Sequence, residues 1–289
     1  SLFTIRNIYD FPSGNFHYVQ KTFNLSEVKG FEFDVTYNKI DAKERISNYA
    51  KVTSLITETL REVHSRFNTH FQIEGEDDEK RSFALETLSN LLGGIGYFHG
   101  TQIIDRTATL DDGEFEKIDL GNGKEEGPFS LFTSVPSRAF FPRGFYWDEG
   151  FHLLQIMEYD FDLAFVIMSS WFELIEDSGW IAREVILGDE ARAKVPEEFQ
   201  IQNHNIANPP VLLLAFSEML DRAIKKQEAS SMSYFEGEFN EETSQLENNA
   251  DLLIEYAKKI YPKLLRHYQW FRKSQKGFID EWEDILEDE

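Results

Sequence analysis

Val211-Leu212-Leu213-Leu214-Ala215-Phe216 is apolar on every side and continues at helical spacing through Met219, Leu220 and Ile224. A helix without a polar face is surrounded by other helices. Phe161, Ala164, Phe165, Met168, Trp171, Phe172 and Ile175 recur instead at i, i+3, i+4 and i+7, so this second helix lays one broad apolar face on a neighbour. Helices of these two kinds predict an inner and an outer layer, as in a toroid of helical hairpins. The fold class read here is mainly α.

Other stretches extend that pattern. Ile46, Tyr49, Ala50, Val52, Leu55, Ile56, Leu60 and Val63 predict a long helix, ended by an exposed acidic loop at Glu74–Glu79. Leu85, Leu88, Leu91, Leu92 and Ile95 form a second stripe, which stops in Gly93-Gly94-Ile95-Gly96, where small residues allow a helix end or a close backbone approach. Residues 101–127 read as a polar loop, and residues 225–250, rich in Ser, Glu and Asn, as a surface insertion. A last helix runs through Leu253, Tyr256, Ile260, Leu264, Tyr268 and Phe271, with Pro262 either kinking it or opening a second helix. The first forty residues differ: Phe31-Glu32-Phe33-Asp34-Val35-Thr36-Tyr37 alternates as a strand does, and Pro12-Ser13-Gly14-Asn15 is a turn signal. The expected division is therefore residues 1–40, the end of a β-domain with its linker, and residues 41–289, a helical domain.

Composition narrows the partners. Among 289 residues, 29 Lys and Arg stand against 52 Asp and Glu, a net charge of −23 that repels nucleic acid and anionic membrane surfaces. Aromatic residues make up 15%, with 26 Phe, enough to line a ligand site as well as fill a core. The absence of Cys excludes disulfides, thiolate metal sites and a cysteine nucleophile. No apolar run reaches the ~20 residues of a membrane span. The start at Ser1 and the acidic stretch 280–289 raise the expectation that the chain is a piece of a longer protein. The acidic loops at 74–79, 236–247 and 280–289 are assigned to solubility.

The densest chemistry lies in Pro136-Ser137-Arg138-Ala139-Phe140-Phe141-Pro142-Arg143-Gly144-Phe145-Tyr146-Trp147-Asp148-Glu149-Gly150-Phe151-His152. Sugars need such a mixture: a ring face stacks on an indole, while carboxylate and guanidinium groups hold vicinal hydroxyls. The plainer alternative makes Asp148 a helix cap with His152 as its i+4 partner. A second cluster, Ser178-Gly179-Trp180-Ile181-Ala182-Arg183-Glu184-Val185-Ile186-Leu187-Gly188-Asp189-Glu190-Ala191-Arg192, follows a strong helix and is either functional or a solvated turn with weak surface ion pairs. Asn203-His204-Asn205-Ile206-Ala207-Asn208-Pro209-Pro210 offers amides to hydroxyls, or caps the next helix. The seven His residues show no metal-binding spacing, Asp111-Asp112-Gly113 lacks the rest of a calcium loop, and no phosphate-cradling motif follows a strand. Asn24-Leu25-Ser26 fits a glycosylation sequon.

Phe140–His152, Leu88-Ser89-Asn90-Leu91-Leu92-Gly93-Gly94-Ile95-Gly96-Tyr97-Phe98, Gly179-Trp180-Ile181-Ala182-Arg183-Glu184 and Ile206-Ala207-Asn208-Pro209-Pro210 resemble the processing α-glucosidases of glycoside hydrolase family 63, and read closest to the yeast-type enzymes. Tyr146-Trp147-Asp148 is also similar to a motif of trehalases, which share the six-hairpin toroid. The resemblance implies part of an (α/α)6 toroid preceded by the end of an N-terminal β-sandwich. It also implies an inverting hydrolase of the endoplasmic reticulum lumen, anchored in the membrane by a segment outside this chain. Its substrate would be an N-linked oligosaccharide, Glc3Man9GlcNAc2, from which the terminal α-1,2-linked glucose is removed without metal or cofactor. The family's acid, in a Ser-Gly-x-Asp-Asp-Tyr-Pro-Arg segment, and its base, a Glu near the far C-terminus, have no counterpart between Ser1 and Glu289. The expectation is a substrate-binding half-site, inactive alone, in which Arg143, Trp147, Asp148 and Asn208 line the glucose subsite, with Glu149, His152, Glu184, Asp189 and Arg192 around it. In second place stands Asp148 or Glu149 as the catalytic acid itself. The runner-up functions are a non-catalytic glycan-binding or interaction module and a related inverting α-glycosidase such as a trehalase.

Overall fold

The computed structural model describes residues 49–73, 78–108, 121–232 and 244–275, with isolated positions 22, 24, 26 and 30. The chain divides into two compact units, Ser1–Val63 and His64–Glu289. The strands expected within the first forty residues and the turn at 12–15 lie outside the described residues. In the first unit, Asn24 and Ser26 are exposed, and the Asn24 side chain accepts from the Ser26 N–H at 3.1 Å, an Asx-type turn at the sequon. Helix α1, Tyr49–His70, begins in this unit and ends in the second.

The second unit opens with the end of α1 and α2, Asp78–Leu92. Phe67 and Leu88 are buried together in a small cluster that also holds Tyr159. A sheet follows. Strands β1, Gly96–Asp105, and β2, Lys124–Thr133, pair antiparallel from Gly96↔Thr133 to Ile104↔Lys124, with a register shift between Gly100 and Gln102. The two ends of the polar loop expected at 101–127, residues 101–105 and 124–127, are therefore ribbon, and residues 109–120 lie outside the described residues. The hydrophobic alternation is broken because Gln102 and Asp105 are buried polar residues. Asp105 is satisfied by the N–H groups of Thr107, Ala108 and Asn122 and by the Thr107 hydroxyl. Burial works to raise its pKa, but these hydrogen bonds outweigh that and hold the carboxyl below its usual value.

Helices α3, Tyr146–Tyr159, and α4, Phe161–Glu173, form a hairpin. Asp160, in extended conformation between them, closes α3 and caps α4 by accepting from the Leu163 N–H at 2.9 Å. The α4 stripe read from the sequence is the buried one, with Phe161, Ala164, Met168, Trp171 and Phe172 all in the core. Helix α6, Val211–Met232, runs eight residues into the segment expected as a surface insertion. Residues 233–243 of that segment lie outside the described residues. Leu212, Ala215, Met219 and Ala223 of α6 are buried, whereas Leu214 is 58% exposed. A Cβ on Gly150 of α3 would lie 2.6 Å from the backbone of Val211, so α3 and α6 meet backbone to backbone. Helix α7, Ala250–Ser274, is continuous through Pro262, which removes the second helix expected there as one alternative. Among the described residues no helix is long and apolar enough to cross a membrane.

Candidate functional site

Three segments singled out in the sequence meet at one backbone carbonyl. Strand β3, Gly144–Phe145, pairs antiparallel with β4, Glu184–Val185, in the register Gly144↔Val185 and Phe145↔Glu184. One step further, the Arg183 carbonyl accepts from the Tyr146 N–H at 2.9 Å and from the Asn208 side-chain amide at 3.2 Å. Gly144 permits this crossing, because a Cβ there would lie 2.7 Å from Leu131 and 2.8 Å from Trp171.

Beneath the crossing, the guanidinium of Arg143 pairs with the Glu184 carboxylate. The two residues are only 4% and 6% exposed. The guanidinium also lies over the Phe141 and Phe145 rings, at 5.5 and 5.0 Å from their centroids. Burial commits both side chains to each other and to the fold. Glu149 is similarly committed. It is fully buried, with one oxygen 3.2 Å from the Ser134 N–H and the other 2.6 Å from the Ser134 hydroxyl and 3.1 Å from His152 Nδ1. A carboxylate accepts only, so the Ser134 hydroxyl donates to it, and His152 Nδ1, 2.8 Å from the Ser134 oxygen and 3.1 Å from the same carboxylate oxygen, carries a proton toward both.

Trp147 and Asp148 present themselves differently. Trp147 is 44% exposed and meets the equally exposed Phe151 edge-on at 5.7 Å. Asp148 is half-buried in the first turn of α3, with no hydrogen-bond or ion-pair partner among the described residues. It is not the helix cap: that position is Phe145, which makes no side-chain capping bond, and His152 pairs with Glu149 at i+3 rather than with Asp148. The helix simply starts three residues earlier than a cap at Asp148 requires.

Asp189 and Arg192 sit on the short helix α5, Gly188–Arg192. Arg192 bonds Asp189 at 2.5 Å, the Thr101 carbonyl at 2.9 Å and Glu125 at 3.3 Å. These contacts fasten α5 to the ribbon; among the described residues none joins the pair to Arg143, Trp147, Asp148 or Asn208.

Several residues that shape the site carried no sequence signal. Ser134 is an ordinary residue after a strand, His267 lies outside any recognisable pattern of polar chemistry, and Tyr146 enters the sequence reading only as a member of the Tyr146-Trp147-Asp148 motif, with no role of its own. His267 is buried on α7, with Nδ1 2.7 Å from the Gly179 carbonyl and Nε2 3.0 Å from the Tyr146 hydroxyl. Burial pulls its imidazole below the ordinary histidine value, outweighing the opposing hydrogen bond to Gly179. Burial likewise pushes the Tyr146 hydroxyl well above the usual tyrosine range. Arg183 is half-exposed beside the crossing, and its side chain has no partner among the described residues. Among the described residues there is no His, Asp and Glu cluster able to hold a metal ion.

Residues 47–283 match the family described as "Glycosyl hydrolase family 63 C-terminal domain". The chain is 65% identical over its whole length to "Mannosyl-oligosaccharide glucosidase" of Saccharomyces cerevisiae, covering 36% of that protein. It is 38% identical over 92% of its length to "Probable mannosyl-oligosaccharide glucosidase" of Schizosaccharomyces pombe, covering 35% of it. Against "Mannosyl-oligosaccharide glucosidase GCS1" of Arabidopsis thaliana it is 35% identical over 78% of its length, covering 24%. The chain thus spans about a third or less of the length of these curated relatives.

Proposed function

Because the chain belongs to glycoside hydrolase family 63, we propose that it forms the glucose-binding portion of a mannosyl-oligosaccharide glucosidase that acts in N-glycan processing. The substrate in this reading is the triglucosylated N-linked oligosaccharide Glc3Man9GlcNAc2, which loses its terminal α-1,2-linked glucose with inversion. The setting is the lumen of the endoplasmic reticulum, with the parent protein anchored in the membrane. The helical hairpins form the first part of an (α/α)6 toroid.

The observation that carries this reading is the pairing of an exposed indole, Trp147, with an adjacent carboxylate, Asp148, that has no partner among the described residues. An indole face takes the apolar side of a pyranose, and a free carboxylate accepts from two neighbouring hydroxyls. Arg183 and the Asn208 amide oxygen supply further polar contacts at the rim. Arg143, Glu184, Glu149 and His152 support the site from beneath: Arg143 Nε and Nη2 pair with Glu184, and Glu149 and His152 bond each other and Ser134. Inversion needs an acid and a base ~6.5–9.5 Å apart with a water between them. With Glu149 enclosed, Asp148 is the one of the adjacent pair that remains open to a ligand, and it is assigned to binding. The acid and the base are assigned to the parent protein beyond these residues.

The test is glucose release from a triglucosylated N-glycan by the 289-residue chain, with the anomer followed by NMR and binding followed in parallel. Binding without release is the expected result. Release of β-glucose would move the acid and the base into this chain and promote Asp148 to a catalytic role. Absence of both binding and release from a folded chain would overturn the half-site.

A further inference from the structure

His267 lies on α7, which contributes no residue to the proposed glucose subsite, yet it touches both segments that build it. Its Nδ1 faces the Gly179 carbonyl at 2.7 Å, in the turn that leads into Arg183 and Glu184, and its Nε2 faces the Tyr146 hydroxyl at 3.0 Å, immediately before Trp147 and Asp148. A carbonyl has no proton to give, so Nδ1 must donate; Nε2 then keeps its lone pair and accepts from the Tyr146 O–H. Both ring nitrogens are used, and the tautomer is fixed by the geometry.

The packing leaves little freedom around this bridge. The imidazole meets the Tyr146 ring edge-on at 5.6 Å and stacks over Trp270 at 6.1 Å. Gly179 has a φ of +92°, and a Cβ on it would lie 2.4 Å from the Arg266 carbonyl, so the turn is pressed onto α7. Tyr146 is anchored a second time through its N–H, on the Arg183 carbonyl. A closed circuit results: Tyr146 to His267, His267 to Gly179, along the chain to Arg183, and back to Tyr146.

We propose that His267 is a positioning residue for the sugar site, setting through Tyr146 and Gly179 the spacing between the Trp147-Asp148 pair and the Arg183 segment. This rests on the half-site reading of the preceding subsection. Loss of either hydrogen bond frees one segment to shift against the other, and sub-ångström placement governs how well hydroxyls and carboxylate align.

The test uses the 289-residue chain with Tyr146→Phe, His267→Phe and the double variant, and reads two quantities. The first is affinity for 1-deoxynojirimycin, an iminosugar that carries the ring hydroxyls of glucose. The second is hydrogen exchange at the amides of residues 146 and 179–185, with residues 164–172 of α4 as internal reference. Tyr146→Phe removes a single oxygen and keeps the ring, so it tests the circuit even if His267→Phe fails to fold. Each single variant is expected to weaken iminosugar binding about tenfold and to speed exchange in both segments while leaving α4 unchanged, and the double variant to do no more than either single one. Unchanged exchange at 179–185 in Tyr146→Phe, or single-variant effects that add in full, would overturn the proposal. A wild-type chain that binds no iminosugar but shows the coupled exchange would overturn the half-site reading and leave the circuit standing.

Discussion

Arg143 and Glu184, 41 residues apart in sequence, form an ion pair beneath the β3–β4 crossing, with both side chains almost fully buried. Taking two charges out of water costs several kcal/mol each, and the pair recovers this only while both members are present. Glu184→Gln or Arg143→Met alone is therefore expected to lower the unfolding free energy by roughly 3–5 kcal/mol, and the double change to Met and Leu to restore most of it. Urea unfolding of the three variants checks this. Single variants that lose less than the double would contradict it.

Asp148 and Trp147 should behave in the opposite way. At the head of α3 Trp147 is exposed and Asp148 half-buried with no partner among the described residues, and changes outside a packed site shift stability by only about 0.5 kcal/mol. Asp148→Ala and Trp147→Ala are expected to leave the melting temperature nearly unchanged while weakening binding of a glucose-mimicking inhibitor tenfold or more, about 1.4 kcal/mol per decade. Calorimetric titration beside a thermal melt separates the two effects.

His267 sets a pH window. Its folded pKa lies below the ordinary value of 6.5 because it is buried, so the unfolded chain binds its proton first as pH falls. The stability it contributes is complete above about pH 6.5 and is lost on acidification toward the folded value, with a slope of up to about 1.4 kcal/mol per pH unit. Melting curves between pH 7.5 and 5 should show this slope in the wild-type chain and a smaller one in His267→Phe.

Asp105 acts in a lower window. Hydrogen bonds from Thr107, Ala108 and Asn122 hold its folded pKa under 3.8 against the opposing effect of burial. Its contribution is present above that value and disappears as pH falls through the folded pKa. Asp105→Asn, measured by urea unfolding at pH 7 and at pH 3, should be destabilising at pH 7 and show a smaller deficit at pH 3. An equal deficit at both would contradict the assignment.

At Gly179 a single added carbon decides. Ala at this position would meet the Arg266 carbonyl at 2.4 Å and would have to hold a φ of +92°. Strain of this kind costs of order 1–3 kcal/mol. Gly179→Ala should lower the melting temperature and speed amide exchange in the C-terminal turns of α7.

The helices of this fold were legible because their signal is local. The stripe from Phe161 to Phe172 and the apolar run at 211–216 became α4 and α6 at the expected places. The ribbon was not, because its alternation is interrupted by the buried polar residues Gln102 and Asp105, and Asp105 gains its bond from Asn122 only after the chain has folded back. The candidate site divides the same way. Motif residues Trp147, Asp148 and Asn208 are legible as a mixture of sugar-binding types, whereas Arg183 is singled out only by its half-exposed side chain without a partner among the described residues. Their supports are not, since Ser134 and His267 acquire meaning only through partners 15 and 121 residues away. Sequence alone also gave Arg143 and Glu149 the same standing as Asp148. Only burial distinguishes charges that brace the floor from the one left open.

The contact at Gly150 has a mechanical consequence. With no clearance between its Cα and the Val211 backbone, α3 cannot slide along α6 without tearing the contact apart. Any tug that a ligand exerts on Trp147 and Asp148 is passed to the start of α6, and from there to Asn208, three residues upstream of Val211. The two segments assigned to the sugar site thus hang from one close joint, and neither can shift without carrying its helix along.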